Sequence, residues 1–348
     1  MARIAVIPGD GAGIEVAAEA LTLLEAVRAR WKLDLTWDTF DFGAQRYLDT
    51  GVALPAGQLD IFRNDFDAIL FGAIGDPRVK DNVHAREILL GLRFGLDLYV
   101  NFRPCKLLDD RLSPLKGKGR KEIDFVVFRE NTEGQYTAAG GFFKKGTPDE
   151  IATSEEINTR KGVERIIRAA FTWAKANGKT RVAMADKANA ILAHDLWRRT
   201  FAEVAKEYPG ITTKAWYVDA LAMQLVLKPE DFDVIVTTNL YGDILTDVGA
   251  ALTGGLGVAP SGNLNPDSTP LFEPVHGSAP DIAGKGLVNP VAMFLTVALM
   301  LRTLGHEAPA KAIEAAVEAA VQAKEGTRDI GGSLSTKQVT EAVLKRLG

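Results

Sequence analysis

Ile4-Ala5-Val6-Ile7-Pro8-Gly9-Asp10-Gly11-Ala12-Gly13-Ile14 settles the fold class and excludes one version of it. The apolar run Ile4 to Ile7 reads as a buried strand and the periodic segment Ile14 to Ala29 as a helix, so a glycine-rich turn joins strand to helix. That is the outline of a dinucleotide fingerprint, but G-x-G-x-x-G requires glycine at position 14, where Ile14 stands. The close helix-to-strand approach that the third glycine permits is therefore not expected, and neither is a standard Rossmann fold. Gly284-Lys285 lies too far after Gly277 for a P-loop, and Gly286 follows where serine or threonine is needed.

Outward from this stretch, short apolar runs keep alternating with helical patterns. Ala68 to Phe71 precedes Ala85 to Leu96, Val182 to Ala185 precedes Leu192 to Ala205, and Phe125 to Phe128 and Val234 to Val236 are further strand-like runs. Such alternation predicts an α/β protein with largely parallel sheets covered by helices, with active sites at strand C-termini. Thr137 to Thr153 breaks the pattern with Gly140-Gly141, Phe142-Phe143 and Gly146-Thr147-Pro148, and reads as an extended arm whose aromatics suit a subunit contact. Gly254-Gly255-Leu256-Gly257 through Gly262 marks a crossover between domains.

Composition narrows the partners. With 41 basic and 45 acidic residues the net charge is −4, which gives no electrostatic reason to expect nucleic acid or an anionic membrane. Val291 to Leu301 is apolar but shorter than the roughly 20 residues a bilayer span needs, so it predicts a buried helix. The start Met1-Ala2-Arg3 runs into a strand pattern without a signal-peptide core, and Cys105 is the only cysteine, so a cytoplasmic protein without an intrachain disulfide is expected. One cysteine and four scattered histidines do not make a zinc site, which leaves oxygen ligands and a hard cation.

Asn239-Leu240-Tyr241-Gly242-Asp243-Ile244-Leu245-Thr246-Asp247 follows the run Val234-Ile235-Val236 and sets Asp243 and Asp247 on one face near the start of a helix. Asp219 ends another strand-like run, Ala215-Trp216-Tyr217-Val218. Three carboxylates at converging element ends would hold magnesium or manganese; alternatively, the aspartate pair serves only the positive end of its helix. Arg93, Arg103 and Arg129 stand at the ends or edges of predicted elements and have the fork that binds carboxylates. Lys187 and Tyr136 are candidates for proton acceptor and donor beside such a metal.

In these motifs the chain resembles the decarboxylating β-hydroxyacid dehydrogenases, the isocitrate and isopropylmalate dehydrogenase family. The resemblance runs through Ile7-Pro8-Gly9-Asp10-Gly11, Asn101-Phe102-Arg103-Pro104, Arg129 to Gly134, Asp186-Lys187-Ala188-Asn189, Asn239 to Asp247, and Glu273 to Gly286. It implies the fold of that family, with a discontinuous cofactor-binding domain (1–100 and 255–348) and a second domain (101–254) carrying the metal site, the catalytic groups, the dimer contact and an arm of about 137–153. Asp219, Asp243 and Asp247 would then ligate magnesium or manganese, and Arg93, Arg103 and Arg129, with Asp219, would bind the substrate. Lys187 and Asp219 would enter the active site from the other subunit of an obligate homodimer. Tyr136 and Lys187 would be the catalytic acid and base. The cofactor loop would comprise Glu273, His276, Gly277, Ser278, Ala279, Asp281 and Ile282, with Asn289. In relatives using NADP, Lys-Tyr replaces Asp281-Ile282, so NAD is expected.

Substrate choice is read from the helix bearing Arg93. Leu89 and Leu90 lie four and three residues back, on the same face, and suit an isopropyl group better than an isocitrate carboxylate. The expectation is NAD-dependent oxidative decarboxylation of 3-isopropylmalate to 4-methyl-2-oxopentanoate, in leucine biosynthesis. The alternative is the same chemistry on D-malate or tartrate, then on homoisocitrate, for which Arg86 supplies a cation, or isocitrate. A further alternative is a binding relative without turnover.

Overall fold

The computed structural model describes all 348 residues. In chain order the elements are β1 (Ala2–Gly9), α1 (Ala12–Trp31), β2 (Leu35–Thr39), α2 (Ala44–Thr50), α3 (Gln58–Asp65), β3 (Ala68–Ala73), α4 (Val83–Gly95), β4 (Val100–Lys106), β5 (Asp124–Glu130), β6 (Gly140–Phe143) and β7 (Ile151–Ser154). There follow α5 (Arg160–Ala176), β8 (Arg181–Asp186), α6 (Asp195–Ala205), β9 (Thr212–Tyr217), α7 (Val218–Leu227), β10 (Val234–Thr237), α8 (Asn239–Thr253), β11 (Pro260–Leu264), β12 (Leu271–Pro274), α9 (Val291–Thr303), α10 (Glu307–Gln322) and α11 (Thr336–Leu347). The chain divides into two units, one of Met1–Leu98, Arg103–Ile123 and Ala250–Gly348, the other of Tyr99–Phe102 and Asp124–Gly249.

In the first unit the strand order is β2-β1-β3-β12-β11. The pairs β1–β2, β1–β3 and β3–β12 are parallel, and β11–β12 is antiparallel. A core of Ile7, Ile69, Phe71, Ile88 and Leu92 continues into Phe40, Phe42, Phe62 and Phe66, whose rings meet mostly edge to face. Each of the fully buried members contributes about 1.5–3 kcal/mol of transfer free energy. The apolar run at Val291 forms α9, which packs against α1, α10, β11 and β12 and so needs no polar face.

Two expectations are corrected in this unit. The close approach of α1 to the sheet does exist, supplied by Gly13 rather than by a glycine at position 14. A Cβ there would stand 2.3 Å from Ala73 N and 2.4 Å from Pro8 O. The segment Arg103–Ile123, expected with the second domain, belongs to the first unit. Its charged side chains explain why: Lys106 and Arg120 pair with Glu318, Arg111 donates to Ile330 O and Val321 O, and Gln322 donates to Leu108 O at 3.2 Å.

The second unit holds β5-β10-β8-β9, parallel throughout. The buried stripe of α5 (Val163, Ile166, Ile167, Ala170, Phe171) meets α6 through Trp197, Phe201 and Val204, with Phe171 and Phe201 5.5 Å apart between ring centres. The arm is an antiparallel hairpin of β6 and β7 in which Phe142, Phe143 and Ile151 are more than half exposed.

Candidate active site

β5 and α8 set the acidic end of the second unit. Arg129, the sixth residue of β5, is 2% exposed, and its Nε and Nη2 donate to Asn239 Oδ1 at 3.0 and 2.8 Å. Its Nη1 donates to Asp243 Oδ1 at 2.5 Å, and Tyr136 Oη donates to Asp243 Oδ2 at 2.9 Å. Asn239 therefore holds the arginine that neutralises Asp243, a role that the sequence reading did not give it. Asparagine at the first position of a helix following a strand was the signal available.

The aspartates do not sit at the helix start. Asp243 is the fifth residue of α8 and Asp247, exposed, lies roughly two turns in. The helix dipole acts within the first turn, so it does not account for the pair. Their shared face does suit an oxygen-liganded cation.

Asp219 also departs from expectation, standing in the first turn of α7 rather than at the end of β9. Its Oδ1 lies 2.8 Å from Lys187 Nζ, and this hydrogen bond holds the Asp219 carboxyl below the usual aspartate value. No group of three acidic, histidine or cysteine side chains able to hold a metal forms within one chain. The structure joins Asp243 to Arg129 and Tyr136, and Asp219 to Lys187, but does not unite the three aspartates.

In the first unit, Arg93 occupies the last turn of α4 and is buried, with Nη2 2.7 Å from Glu273 Oε1. The same Glu273 oxygen accepts from Asn263 Nδ2 at 2.8 Å, so Glu273, expected with the cofactor loop, faces the arginine. Arg93 Nε is buried without a partner. Arg103 lies inside β4, buried, instead of after a strand. On α4 the core stripe is His84, Ile88 and Leu92; Leu89 and Leu90 fall off it and are only partly buried.

One of the cofactor-loop candidates carries an orphaned polar atom. His276 Nδ1 lies 3.0 Å from Gly277 O, so Nδ1 carries the proton and Nε2 is left as an acceptor, buried and without a partner. Burial lowers the His276 pKa and keeps the ring neutral. A buried acceptor fits the amino group of adenine. Ser278 is buried and its carbonyl accepts from Ala12 N at 2.6 Å, while Asp281 and Ile282 are exposed. Asn289 donates to Asp329 Oδ2 at 2.9 Å and accepts from Val291 N at 3.0 Å. Asp329 thus positions Asn289 across forty residues of chain, which no local pattern announces.

Comparison with known proteins matches this layout. The family model described as isocitrate/isopropylmalate dehydrogenase matches residues 3–343. The 3-isopropylmalate dehydrogenase of Streptomyces griseus is 48% identical over 342 residues, covering 96% of this chain and 97% of that protein. That of Thermobifida fusca is 46% identical over 348 residues, covering 99% and 97%. Among solved structures, isocitrate dehydrogenase from Methylococcus capsulatus superposes with a TM-score of 0.89 at 37% identity, covering 100% of this chain and 99% of that one. The TT0538 protein from Thermus thermophilus gives 0.88 at 38%, covering 99% and 68%. With family motifs in order from β1 to α9, and a match spanning nearly every residue, the chain belongs to the isocitrate/isopropylmalate dehydrogenase family.

Proposed function

We propose that the chain catalyses the NAD-dependent oxidative decarboxylation of 3-isopropylmalate to 4-methyl-2-oxopentanoate in leucine biosynthesis. The observation that carries the choice of substrate is the pair Leu89 and Leu90, off the core stripe of α4 and on the face of Arg93. An isopropyl group buries well against such side chains, whereas a carboxylate there would lose its hydration without gaining a donor. The curated relatives bearing the name 3-isopropylmalate dehydrogenase agree with this reading.

In this reading Arg93, Arg103 and Arg129 pair with the carboxylates of the malate core. Asp243 and Asp247, with Asp219 of a second copy, hold magnesium or manganese; His276, Asp281 and Asn289 hold the adenosine end of NAD. When bound, NAD would supply the hydride acceptor and the metal would supply positive charge that stabilises the developing anion of the substrate. Lys187 accepts the C2 hydroxyl proton, through an adjacent group or water. Tyr136, whose hydroxyl donates to Asp243 and so carries its proton, delivers a proton to the carbon that has lost carbon dioxide. The exposed Asp281 carboxylate repels a 2′-phosphate, which favours NAD over NADP.

Lys187 and Asp219 serve the active site of the other subunit in a homodimer. Exposed Phe142, Phe143 and Ile151 on the arm, with Met223, Val226 and Leu227 on α7, support such an interface. We assign the protein to the cytoplasm; no helix is long and apolar enough to cross a membrane.

The test compares NAD reduction on isopropylmalate, D-malate, tartrate, isocitrate and homoisocitrate with manganese present. Isopropylmalate is expected to give the highest kcat/KM. A roughly tenfold preference for D-malate or tartrate would overturn the role of Leu89 and Leu90. NAD binding without turnover on any of the five would indicate a non-catalytic relative.

A further inference from the structure

We propose that His194, which lies outside every motif quoted above, is the positioning residue that fixes the main chain of Lys187 and ties it to the base of the arm beside Tyr136. The inference rests on Lys187 being the proton acceptor of the proposed reaction.

Lys187 leaves the end of β8, and its main-chain N–H donates to His194 Nδ1 at 2.8 Å. A main-chain N–H only donates, so Nδ1 must accept and the ring proton resides on Nε2. Nε2 donates in turn to Glu156 Oε1 at 2.7 Å. The imidazole is fully buried, with the Tyr241 ring edge-on at 5.6 Å. Both ring nitrogens are therefore committed, and the tautomer is set by two partners of opposite kind.

Glu156 extends the contact. It accepts from Asn158 Nδ2 at 3.2 Å, and Asn158 accepts from Trp197 Nε1 at 2.9 Å. Burial opposes its charge, but bonds from His194, Asn158 and Gln135 hold the carboxyl below the usual glutamate value. Gln135 immediately precedes Tyr136. Gln135 and Glu156 also flank the two ends of the arm, whose base is closed by the pairing of Gly134 with Ile157. One imidazole thus connects the chain at Lys187 with the residue next to Tyr136.

The rest of the Lys187 turn is already fixed. Lys187 O accepts from Ala190 N and Ile191 N at 2.9 and 2.8 Å, and Asp186 Oδ1 accepts from Ala188 N at 2.7 Å. The bond to His194 completes this set, so that only the lysine side-chain torsions remain to aim Nζ. Losing it leaves the peptide before Lys187 free to tilt, and displaces the amine together with its 2.8 Å contact to Asp219, without touching the arginines assigned to substrate or the residues assigned to NAD.

Two near-isosteres separate the two ring nitrogens. His194→Asn puts a carbonyl oxygen near Nδ1 and keeps an acceptor for Lys187 N–H; His194→Gln puts an amide nitrogen near Nε2 and keeps only the donor to Glu156. A misplacement near 1 Å costs about 100-fold in rate, so His194→Gln should lose kcat on that order while His194→Asn stays within about tenfold of the parent. Substrate and NAD KM should be unchanged in both, and the solvent deuterium isotope effect on kcat should rise only in His194→Gln.

Equal losses in the two variants, or a loss carried by KM, would overturn the proposal. If His194→Gln does not fold, Glu156→Gln and Glu156→Leu make the comparison. The first keeps an acceptor for Nε2–H and should retain kcat, the second should lose it, and equal rates would overturn the proposal. Lys187→Met distinguishes the failures. Retained turnover removes the reading of Lys187 and this inference together, whereas abolished turnover beside an unaffected His194→Gln removes this inference alone.

Discussion

Arg129 and Asp243 are joined directly, Nη1 to Oδ1, while the other side of the same guanidinium is held by Asn239. A cation that is 2% exposed needs such compensation, and the side chain providing it is the one assigned to the metal. The arginine proposed to bind substrate and the aspartate proposed to bind metal are thereby held against each other. Tyr136 completes the arrangement by donating to the second Asp243 oxygen.

Gly242 provides the space for this arrangement. A Cβ at that position would lie 2.4 Å from Arg129 Cγ and 2.5 Å from its Cβ, the inflexible root of the side chain. Gly242→Ala should therefore move the guanidinium, raising the KM for the hydroxyacid by about tenfold or more at an overpacking cost of about 1–3 kcal/mol in stability. Steady-state kinetics and thermal unfolding check this, with the dissociation constant of NAD expected to stay constant. An unchanged substrate KM would mean that Arg129 does not hold substrate.

In the proposed role of His276 toward adenine, its protonation should set a pH limit on NAD binding. Burial lowers its pKa below the usual histidine value of 6.5, so the ring stays neutral at pH 7 and Nε2 remains an acceptor. The unfolded chain takes up the proton first as pH falls. The associated stability is thus complete above the unfolded pKa and is lost as pH drops through the folded one. NAD affinity, titrated calorimetrically, should be flat from about pH 8 to 7 and weaken in the acid range below about 6.5. In His276→Gln, which offers an acceptor that does not titrate, the acid limb should disappear. Persistence of the limb in that variant would place the responsible group elsewhere.

Strands, helices and motif order could be read from the chain because they are local: apolar runs of period two or continuous burial, helical repeats, and glycines between them. What escaped the reading is set by partners distant in sequence. Gly13 could not be identified as the site of close helix approach without Ala73 lying beneath it. Arg103 and Arg129 looked like residues following strands, yet they lie inside β4 and β5, since hydrogen-bonded pairing extends past the point where apolar character ends. The segment Arg103–Ile123 went to the wrong domain because its long-range polar contacts to Glu318, Val321 and Ile330 leave no trace in hydropathy. The Asp10–His84 contact, 2.8 Å and buried, spans seventy-four residues and is likewise invisible to a local reading.

Cys105 should behave as a chemically silent thiol. Burial inside β4 pushes its pKa up to about 12, opposed only weakly by the charge of Arg103, so almost no thiolate exists at about pH 8. The native protein should fail to react with an aromatic disulfide reagent over the time in which the unfolded protein in guanidinium reacts with one equivalent. Fast native reaction would show that β4 opens locally at this point.

Asp243 links both proposed ligands, and Asp243→Asn separates their contributions. The substitution preserves size but removes the charge that Arg129 and a divalent ion would share. Loss of outer-shell partners alone costs roughly 10–100-fold in metal affinity, so loss of a ligand charge should cost at least that much, read as the manganese concentration for half-maximal activity. Arg129 would keep its two bonds to Asn239, so the fold should survive, with circular dichroism unchanged. Asp247→Asn, one helical turn further along the same face, should shift the manganese dependence in the same direction while leaving the Arg129–Asp243 pair in place. If manganese activation is undisturbed in Asp243→Asn, the assignment of α8 as the metal helix is wrong.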